Sequence, residues 1–469
     1  MTRFAALEQF VQDKMAETHL PSITLAVLER GETVYQRAFG FRDSERGLPA
    51  TPATLYGIGS VTKSFTCLAV MQLAEQGRLA VDDPVERYVP LHLRPFGQAV
   101  TLHHLMTHSS GIPALAYAEA VIRHAAGATD TWLPIGSYDD MLTFVNGAGD
   151  WIHASPGTRW FYLNEGYILL GAIIEKVSGQ RYADYVGDHL LAPLGMTRTF
   201  LEKARVDADP DTAMPYVITK DHAQLPSHYL LGRLTSDGGL ISSAEDMTRY
   251  LAMLLAGGRG PRGRVISEES LRRMTTPQVA TPPEVYPAAE RIPVAHYGYG
   301  LSVYPGFFGR TLISHSGSVL VSTAYMGFIP ADGAGVMVLA NGSGYPLGQM
   351  GQFALAVLLG EDPWLLPGIR EERALERLTG RYETYHGTYG GTVTRAGDFL
   401  VLEISNKLLE QKVILIPTSL GPDRATFFTL AAGRRLVVEF EVSDRGVDLI
   451  YERYKMRRTG AAGVGQGWE

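Results

Sequence analysis

The chain has 469 residues, enough for two or three domains and for a large apolar core that needs neither disulfides nor metals. Its formal charge is −7, and no basic stripe is present, which argues against a nucleic-acid-binding protein or a protein of anionic membrane surfaces. Hydrophobic residues make up 45% and charged residues 19%, a composition typical of a globular protein rather than a disordered one.

Cys67 is the single cysteine, which excludes an intramolecular disulfide, an iron–sulfur cluster and a cysteine-rich zinc site. Residues 1–8 begin an amphipathic helix and lack an apolar signal core. No apolar run reaches the roughly 18 residues of a membrane span. We therefore expect a cytoplasmic protein without membrane partners, in which Cys67 is a core residue.

The first 360 residues combine helical and strand periodicities. Helices are predicted at 60–77, 165–178 and 352–360, and strands at 23–28, 33–39, 300–303, 312–315, 322–329 and 335–340. The Pro-rich stretch 275–295 between them is predicted to be a surface loop. Because strands at both ends flank a helical middle, we expect an α+β domain whose antiparallel sheet unites the two ends.

The pattern changes after the Pro- and Gly-containing segment 363–368. A short charged helix at 371–378 is followed by closely spaced strands at 381–385, 388–394, 399–404, 412–416, 425–430, 436–442 and 447–454. Seven or eight short strands in about 80 residues predict a small antiparallel β-barrel or sandwich. We therefore expect a first domain over 1–365 and a barrel domain over 371–460.

Ser60 and Lys63 are the first pair of residues that suggest chemistry. Ser60 follows a glycine-rich turn and begins a predicted helix, so its hydroxyl lies at the positive end of the helix dipole. Lys63 shares its face because residues three apart are neighbours on a helix. A hydroxyl needs an adjacent base or cation to become a nucleophile, and a lysine supplies either. For the pair alone, an N-cap serine and a solvated lysine are the more common explanation.

Tyr162 and Asn164 form a Tyr-x-Asn motif that occurs once in the chain. A tyrosine with neighbouring cations can shuttle protons, and an asparagine amide can orient a substrate carbonyl. The alternative is a core tyrosine followed by a helix N-cap. A third motif, His315-Ser316-Gly317, ends a predicted strand, where the glycine lets a substrate approach the strand edge. A second His-x-Gly at 296–298 makes this third motif less specific.

Together and in this order, the three motifs resemble the serine β-lactamase and penicillin-binding-protein family. The resemblance is strongest to the class C-like branch of esterases, D-amino-acid peptidases and related hydrolases, which carry His-x-Gly in place of Lys-Thr-Gly. The segments 77–85, 105–113, 193–196 and 237–243 also agree, so the resemblance spans residues 5–360. The C-terminal strands resemble the lipocalin-like domain of D-stereospecific, self-compartmentalising serine peptidases of that branch.

The resemblance implies a β-lactamase/transpeptidase-like fold, an antiparallel sheet flanked by helices plus an all-helical part. It also implies Ser60 as the acylated nucleophile, Lys63 and Tyr162 as a coupled proton-transfer pair, and His315 beside Tyr162. Which member of the Lys63–Tyr162 pair is the base stays open, because coupled groups titrate as a unit.

The resemblance also assigns the substrate-binding residues. Asn164 would bind the substrate amide, and Gly317 would admit the substrate backbone. The backbone N–H groups of Ser60 and Ser318 would form the oxyanion hole.

The expected function is a peptidase on short peptides that contain D-amino acids, with no cofactor. The alternatives are a carboxylesterase or weak β-lactamase of the same fold, and a receptor for penicillin or peptidoglycan fragments that is acylated without turnover. Efficient β-lactam hydrolysis is disfavoured because His315-Ser316-Gly317 lacks the fixed cation of Lys-Thr-Gly. A metal site at His104 and His108 is disfavoured because no third ligand is apparent. The barrel is expected to restrict the cleft to short substrates; the alternative is that it builds a homo-oligomer.

Overall fold

The computed structural model describes residues 3–232, 234–282, 294–405 and 410–460. The described chain divides into two compact units, the first ending at Pro363 and the second beginning at Trp364. The domain limits 1–365 and 371–460 stay a prediction. Within the predicted loop 275–295, residues 283–293 lie outside the described part. No helix of the described residues combines the length and apolarity that a bilayer crossing requires.

An antiparallel sheet organises the first unit. In the described part of the chain it has nine strands, in the spatial order Val279–Ala280, His296–Tyr297, Ser302–Phe307, Arg310–Ser318, Thr323–Ile329, Ala334–Ala340, Ser22–Glu29, Glu32–Asp43 and Leu48–Pro49. Strand Ser22–Glu29 pairs with Ala334–Ala340, with Ile23 opposite Ala340. The prediction that one sheet unites both ends of the domain is therefore confirmed.

Helices cover both faces of this sheet. Val336 lies against helix Leu347–Leu359, and the adjacent Gly335 lies against helix Ala244–Leu255. Because successive strand residues point to opposite faces, the two helices lie on opposite sides. The described α-helices of this unit are Ala5–Thr18, Thr62–Glu75, Leu102–Met106, Tyr117–Ala125, Tyr138–Asn146, Asn164–Ser178, Tyr182–Val186, Ala192–Leu194, Lys203–Ala208, Ala244–Leu255, Glu268–Thr275 and Leu347–Leu359.

A helical part carries most of the remaining helices, and its apolar core is continuous with one face of the sheet. Helices Thr62–Glu75 and Asn164–Ser178 pack together there and are buried along most of their length. Three two-stranded sheets are also present among the described residues: Tyr56–Gly57 with Ile241–Ser242, Tyr216–Ile218 with Gln224–Pro226, and Arg259–Gly260 with Gly263–Arg264. Cys67 is fully buried in this core, as expected.

The second unit consists of helix Pro367–Glu376 and a closed antiparallel barrel. Its eight strands among the described residues are Gly380–Glu383, Gly390–Ala396, Phe399–Ser405, Glu410–Leu420, Arg424–Ala431, Arg434–Ser443, Gly446–Tyr451 and Tyr454–Gly460. The first strand pairs with the last, which closes the barrel. Alternate side chains such as Phe427 and Phe440 fill the interior.

One predicted strand of the barrel is wrong. The segment 447–454 is two strands, since Tyr451 pairs with Tyr454 across a tight turn. Glu452 adopts a left-handed conformation there, with φ of 51°. The turn lacks the Gly or Asn that commonly marks such conformations, so the sequence carried no signal for it.

Candidate active site

Ser60 lies in the connection between a short strand and a helix. Strand Tyr56–Gly57 leads into the 3-10 turn Gly59–Val61, which continues directly into helix Thr62–Glu75. Ser60 is half-buried, whereas its neighbours Gly59 and Val61 are buried. The Ser60 hydroxyl therefore stands at the N-terminal end of the helix, as the Ser-x-x-Lys spacing predicted.

Lys63 lies in the first turn of this helix and is fully buried. Its Nζ donates hydrogen bonds to Ser60 Oγ at 3.0 Å, to Asn164 Oδ1 at 2.8 Å and to the carbonyl oxygen of Asp237 at 2.7 Å. Three acceptors match the three N–H bonds of an ammonium group. The geometry therefore presents a fixed positive charge to the Ser60 hydroxyl, which favours its deprotonation.

Tyr162 and Asn164 contact Lys63 from the start of helix Asn164–Ser178 and the segment just before it. Asn164 is the first residue of helix Asn164–Ser178, so its amide is fixed at the helix start. The Tyr162 ring centroid lies 4.8 Å from Lys63 Nζ, a cation–π contact. The structure thus brings Ser60, Lys63, Tyr162 and Asn164 together from positions about 100 residues apart in sequence.

The edge of strand Arg310–Ser318 lies directly against the Ser60 turn. A Cβ on Gly317 would lie 1.9 Å from the carbonyl oxygen of Ile58 and 3.0 Å from the backbone nitrogen of Ser60. A Cβ on Gly59 would lie 2.8 Å from the backbone nitrogen of Ser318. Both positions therefore require glycine, and this close approach brings the Ser60 and Ser318 amides near each other.

His315 has a hydrogen-bond partner that the sequence did not predict. Its Nδ1 lies 2.6 Å from the Ser316 carbonyl oxygen, and its Nε2 lies 2.8 Å from the Tyr297 hydroxyl. A carbonyl oxygen only accepts, so Nδ1 carries the proton and the Tyr297 hydroxyl donates to Nε2. The His315 ring lies 6.2 Å from the Tyr162 ring, centroid to centroid. His315 is therefore close to Tyr162, but its acceptor atom Nε2 already receives a hydrogen bond from the Tyr297 hydroxyl.

Tyr297 belongs to the second His-x-Gly motif, at 296–298, which in the sequence only weakened the first. It lies in strand His296–Tyr297, which pairs with strand Ser302–Phe307 next to the His315 strand. The signal was therefore present, but it could be interpreted only once the strand order was known.

His108 and Asp237 are further residues of the site that motif analysis did not assign. His108 is fully buried, and its ring lies 4.1 Å from the Tyr162 ring. Its Nδ1 accepts a hydrogen bond from Leu163, whereas His104 Nδ1 contacts Thr101. Each histidine of the considered metal pair thus has a different partner. Asp237 contributes through its backbone carbonyl oxygen, and in the sequence its segment 237–243 only adds to the family resemblance.

Burial keeps both site histidines neutral. It lowers the pKa of His315 to about 3, with a further contribution from the Lys63 charge. Burial, followed by the Lys63 charge, lowers the pKa of His108 well below its usual value. Both imidazoles of the site are therefore uncharged at neutral pH.

A pH dependence of stability follows from these pKa values. In the unfolded chain a histidine has a pKa near 6.5. Between pH 6.5 and 3, His315 is therefore protonated in the unfolded state but neutral in the folded state, which favours unfolding. The free energy of unfolding should therefore be highest above pH 6.5 and fall as the pH drops towards 3. Each histidine contributes a slope of up to about 1.4 kcal/mol per pH unit. Urea unfolding between pH 7 and 4 measures the slope, which His315→Asn should reduce. An equal slope in this variant would contradict the assignment.

A family model described as "Beta-lactamase" matches residues 7–359, and a model described as "Pab87 octamerisation domain" matches residues 363–457. The two matches follow each other along the chain. The first match covers most of the first unit. The second covers the first seven barrel strands and ends within the last strand, Tyr454–Gly460.

Individual relatives agree with these matches. A structure entitled "Structure of the octameric penicillin-binding protein homologue from Pyrococcus abyssi" is 44% identical, covers 97% of this chain and 100% of that chain, and superposes with a TM-score of 0.91. A D-stereospecific amidohydrolase from Streptomyces sp. is 23% identical with a TM-score of 0.59, covering 76% of this chain and 99% of its own, which shows a common fold. "Protein flp" of Staphylococcus aureus (strain MW2) is 26% identical over 71% of this chain and 62% of its own length. The chain spans between 48% and 63% of the curated relatives it matches.

Proposed function

Since this chain belongs to the beta-lactamase family of serine hydrolases, we propose that it hydrolyses short peptides containing D-amino acids through an acyl-enzyme on Ser60. The observation that carries this proposal is the contact of Lys63 Nζ with Ser60 Oγ at 3.0 Å. Lys63 is fully buried, so its charge acts on the hydroxyl with little screening by water.

The proposed reaction has two steps. In the first, Ser60 Oγ attacks the substrate carbonyl carbon while its proton passes to whichever member of the Lys63–Tyr162 pair is unprotonated when the substrate binds. The C–N bond then breaks, and the departing amine takes up that proton. In the second step, a water molecule attacks the ester carbonyl, the Ser60 ester bond breaks, and the acid leaves as Ser60 regains a proton.

Binding groups surround this reaction centre. The backbone N–H groups of Ser60 and Ser318 bind the negative oxygen that develops on the attacked carbonyl, which in other enzymes is worth about 3–4 kcal/mol per donor. The close approach of Gly317 to the Ser60 turn supports this assignment. Asn164 holds Lys63 through Oδ1, which leaves its NH₂ group to donate to the substrate amide carbonyl.

The substrate class is inferred from charge and from fold. A β-lactam presents a carboxylate that a fixed cation would bind, and neutral His315, with a pKa of about 3, supplies none. This argument favours a peptide or ester bond over a β-lactam. The D-configuration rests on the fold shared with the D-stereospecific amidohydrolase from Streptomyces sp..

A panel of three substrates tests the proposal. We expect release of p-nitroaniline from a D-amino-acid p-nitroanilide, and none from its L-enantiomer. Turnover of a short p-nitrophenyl ester alone would instead make the protein an esterase, and turnover of a chromogenic cephalosporin would make it a β-lactamase. A stable adduct without turnover of any substrate would identify a receptor.

We also propose that the protein forms a homo-oligomer through the outside of its barrel. An outer patch, defined as Ile414, Phe428, Leu430 and Val437, lies on three consecutive strands. Val437 is 61% exposed and Leu430 65%, which is unusual for apolar side chains of this size. The match of 363–457 to an octamerisation domain supports this proposal, as does the octameric homologue from Pyrococcus abyssi.

Charge on the outer patch should disrupt this assembly. We expect Val437→Glu combined with Leu430→Glu to lower the sedimentation coefficient to that of a smaller species, because burying two unpaired carboxylates is strongly unfavourable. Thr418→Glu, at an exposed position of the same barrel, is the matched control. An unchanged sedimentation coefficient in the double variant would remove the patch from the interface.

A further inference from the structure

His108 forms two hydrogen bonds to the segment that carries Tyr162 and leads into Asn164. Its Nδ1 accepts a hydrogen bond from the backbone N–H of Leu163 at 2.9 Å. Its carbonyl oxygen accepts a second hydrogen bond from the N–H of Phe161 at 2.7 Å. The two bonds lie on either side of Tyr162, and Asn164 follows immediately.

The His108 imidazole makes one hydrogen bond and several aromatic contacts at this place. Because Nδ1 accepts from Leu163, the ring proton must be on Nε2. The ring also packs on aromatic neighbours, at 4.1 Å from Tyr162, 4.9 Å from Tyr167 and 4.9 Å from Tyr297 between centroids. His108 thus combines an acceptor for the Leu163 amide with a flat surface for the Tyr162 ring.

The backbone of His108 is fixed as well. Its φ is 59°, in the left-handed region that non-glycine residues rarely occupy. The residue is fully buried, so no water competes for its bonds. These constraints give the turn 161–163 little freedom relative to the segment that carries His108.

We propose that His108 is a positioning residue that holds the turn 161–163 so that the Tyr162 ring and the Asn164 amide meet Lys63. This inference rests on the proposed function, since it assigns Tyr162 and Asn164 to the reaction. The imidazole has no proton-transfer role in it. Its loss should act on the rate of acylation more than on substrate binding, because small displacements of reacting groups lower rates by up to about 100-fold.

The test compares His108→Leu, which removes the acceptor, with His108→Asn. The Asn carbonyl oxygen occupies the position of Nδ1, and asparagine tolerates the left-handed backbone. His92→Asn, at an exposed position, is the matched control. The readouts are kcat and KM on the best substrate of the panel, and the rate at which a fluorophosphonate probe labels Ser60. Should His108→Leu fail to fold, His108→Gln replaces it. The Gln amide lies one bond farther from the backbone than that of Asn, so its oxygen does not take the position of Nδ1.

We expect His108→Leu to lower kcat and the labelling rate about 10- to 100-fold, with a smaller rise in KM because Asn164 also binds the substrate, and His108→Asn to restore most of both rates. Equal rates in wild type and His108→Leu would overturn the proposal, as would an Asn variant as slow as the Leu variant. Probe labelling needs no D-peptide, so it keeps its meaning even where the substrate assignment fails. If Ser60 proves unreactive, ¹⁵N chemical shifts of the His108 ring still decide: a protonated Nδ1 contradicts the bond to Leu163, and an unprotonated Nδ1 supports it.

Discussion

Ser60→Ala is expected to lower the turnover of every hydrolysed substrate by about 10⁴-fold or more, because no other group replaces the attacking oxygen. The loss should lie in kcat, since the binding groups at Asn164 and Ser318 remain. Removing one half-buried hydroxyl should leave the melting temperature nearly unchanged. Steady-state kinetics with the anilide and the ester measure this loss.

Ser64→Ala is the matched control for this prediction. Ser64 lies one turn along the same helix, where its hydroxyl donates to the Val61 carbonyl and accepts from Tyr250. Its loss should reduce the free energy of unfolding by about 1 kcal/mol and leave turnover in place. If Ser60→Ala retained activity and Ser64→Ala lost it, the nucleophile would be assigned wrongly.

Lys63→Met is expected to lower turnover by at least about 10³-fold, the second largest effect. Methionine has nearly the length of lysine but carries no charge and no donor. The Ser60 hydroxyl then loses the cation beside it. Asn164 Oδ1 and the Asp237 carbonyl oxygen lose their buried donor, which also affects the position of the substrate amide.

The matched control is Lys176→Met, an exposed lysine on helix Asn164–Ser178. It should keep full turnover. Circular dichroism should show that both variants fold. A folded Lys63→Met enzyme with nearly normal turnover would contradict the role of Lys63 in activating the serine.

Local periodicity predicted those parts of the molecule that depend on neighbours in sequence. Ser60 and Lys63 could be placed together because three residues bring side chains onto one helix face. Asn164 could be placed at a helix start from the pattern that follows it. The family resemblance supplied what local patterns lack, namely that these pieces meet at one site.

Contacts between distant segments could not be predicted. The bond between Tyr297 and His315 depends on the order of strands in the sheet, which no local pattern encodes. The bond from Leu163 to His108 joins residues 55 positions apart. For His108 the sequence offered metal-ligand spacing and a place in the matching segment 105–113, but no role, because the role of a buried imidazole depends on what its two nitrogens face.

The central claim is a covalent acyl group on Ser60, and intact-protein mass spectrometry after rapid acid quench tests it most directly. With the p-nitrophenyl ester in excess, we predict a mass increase equal to the acyl group. Peptide mapping should locate the increase on Ser60, and the Ser60→Ala variant should lack it. An acyl group found on another residue, or turnover that persists in the Ser60→Ala variant, would contradict the account.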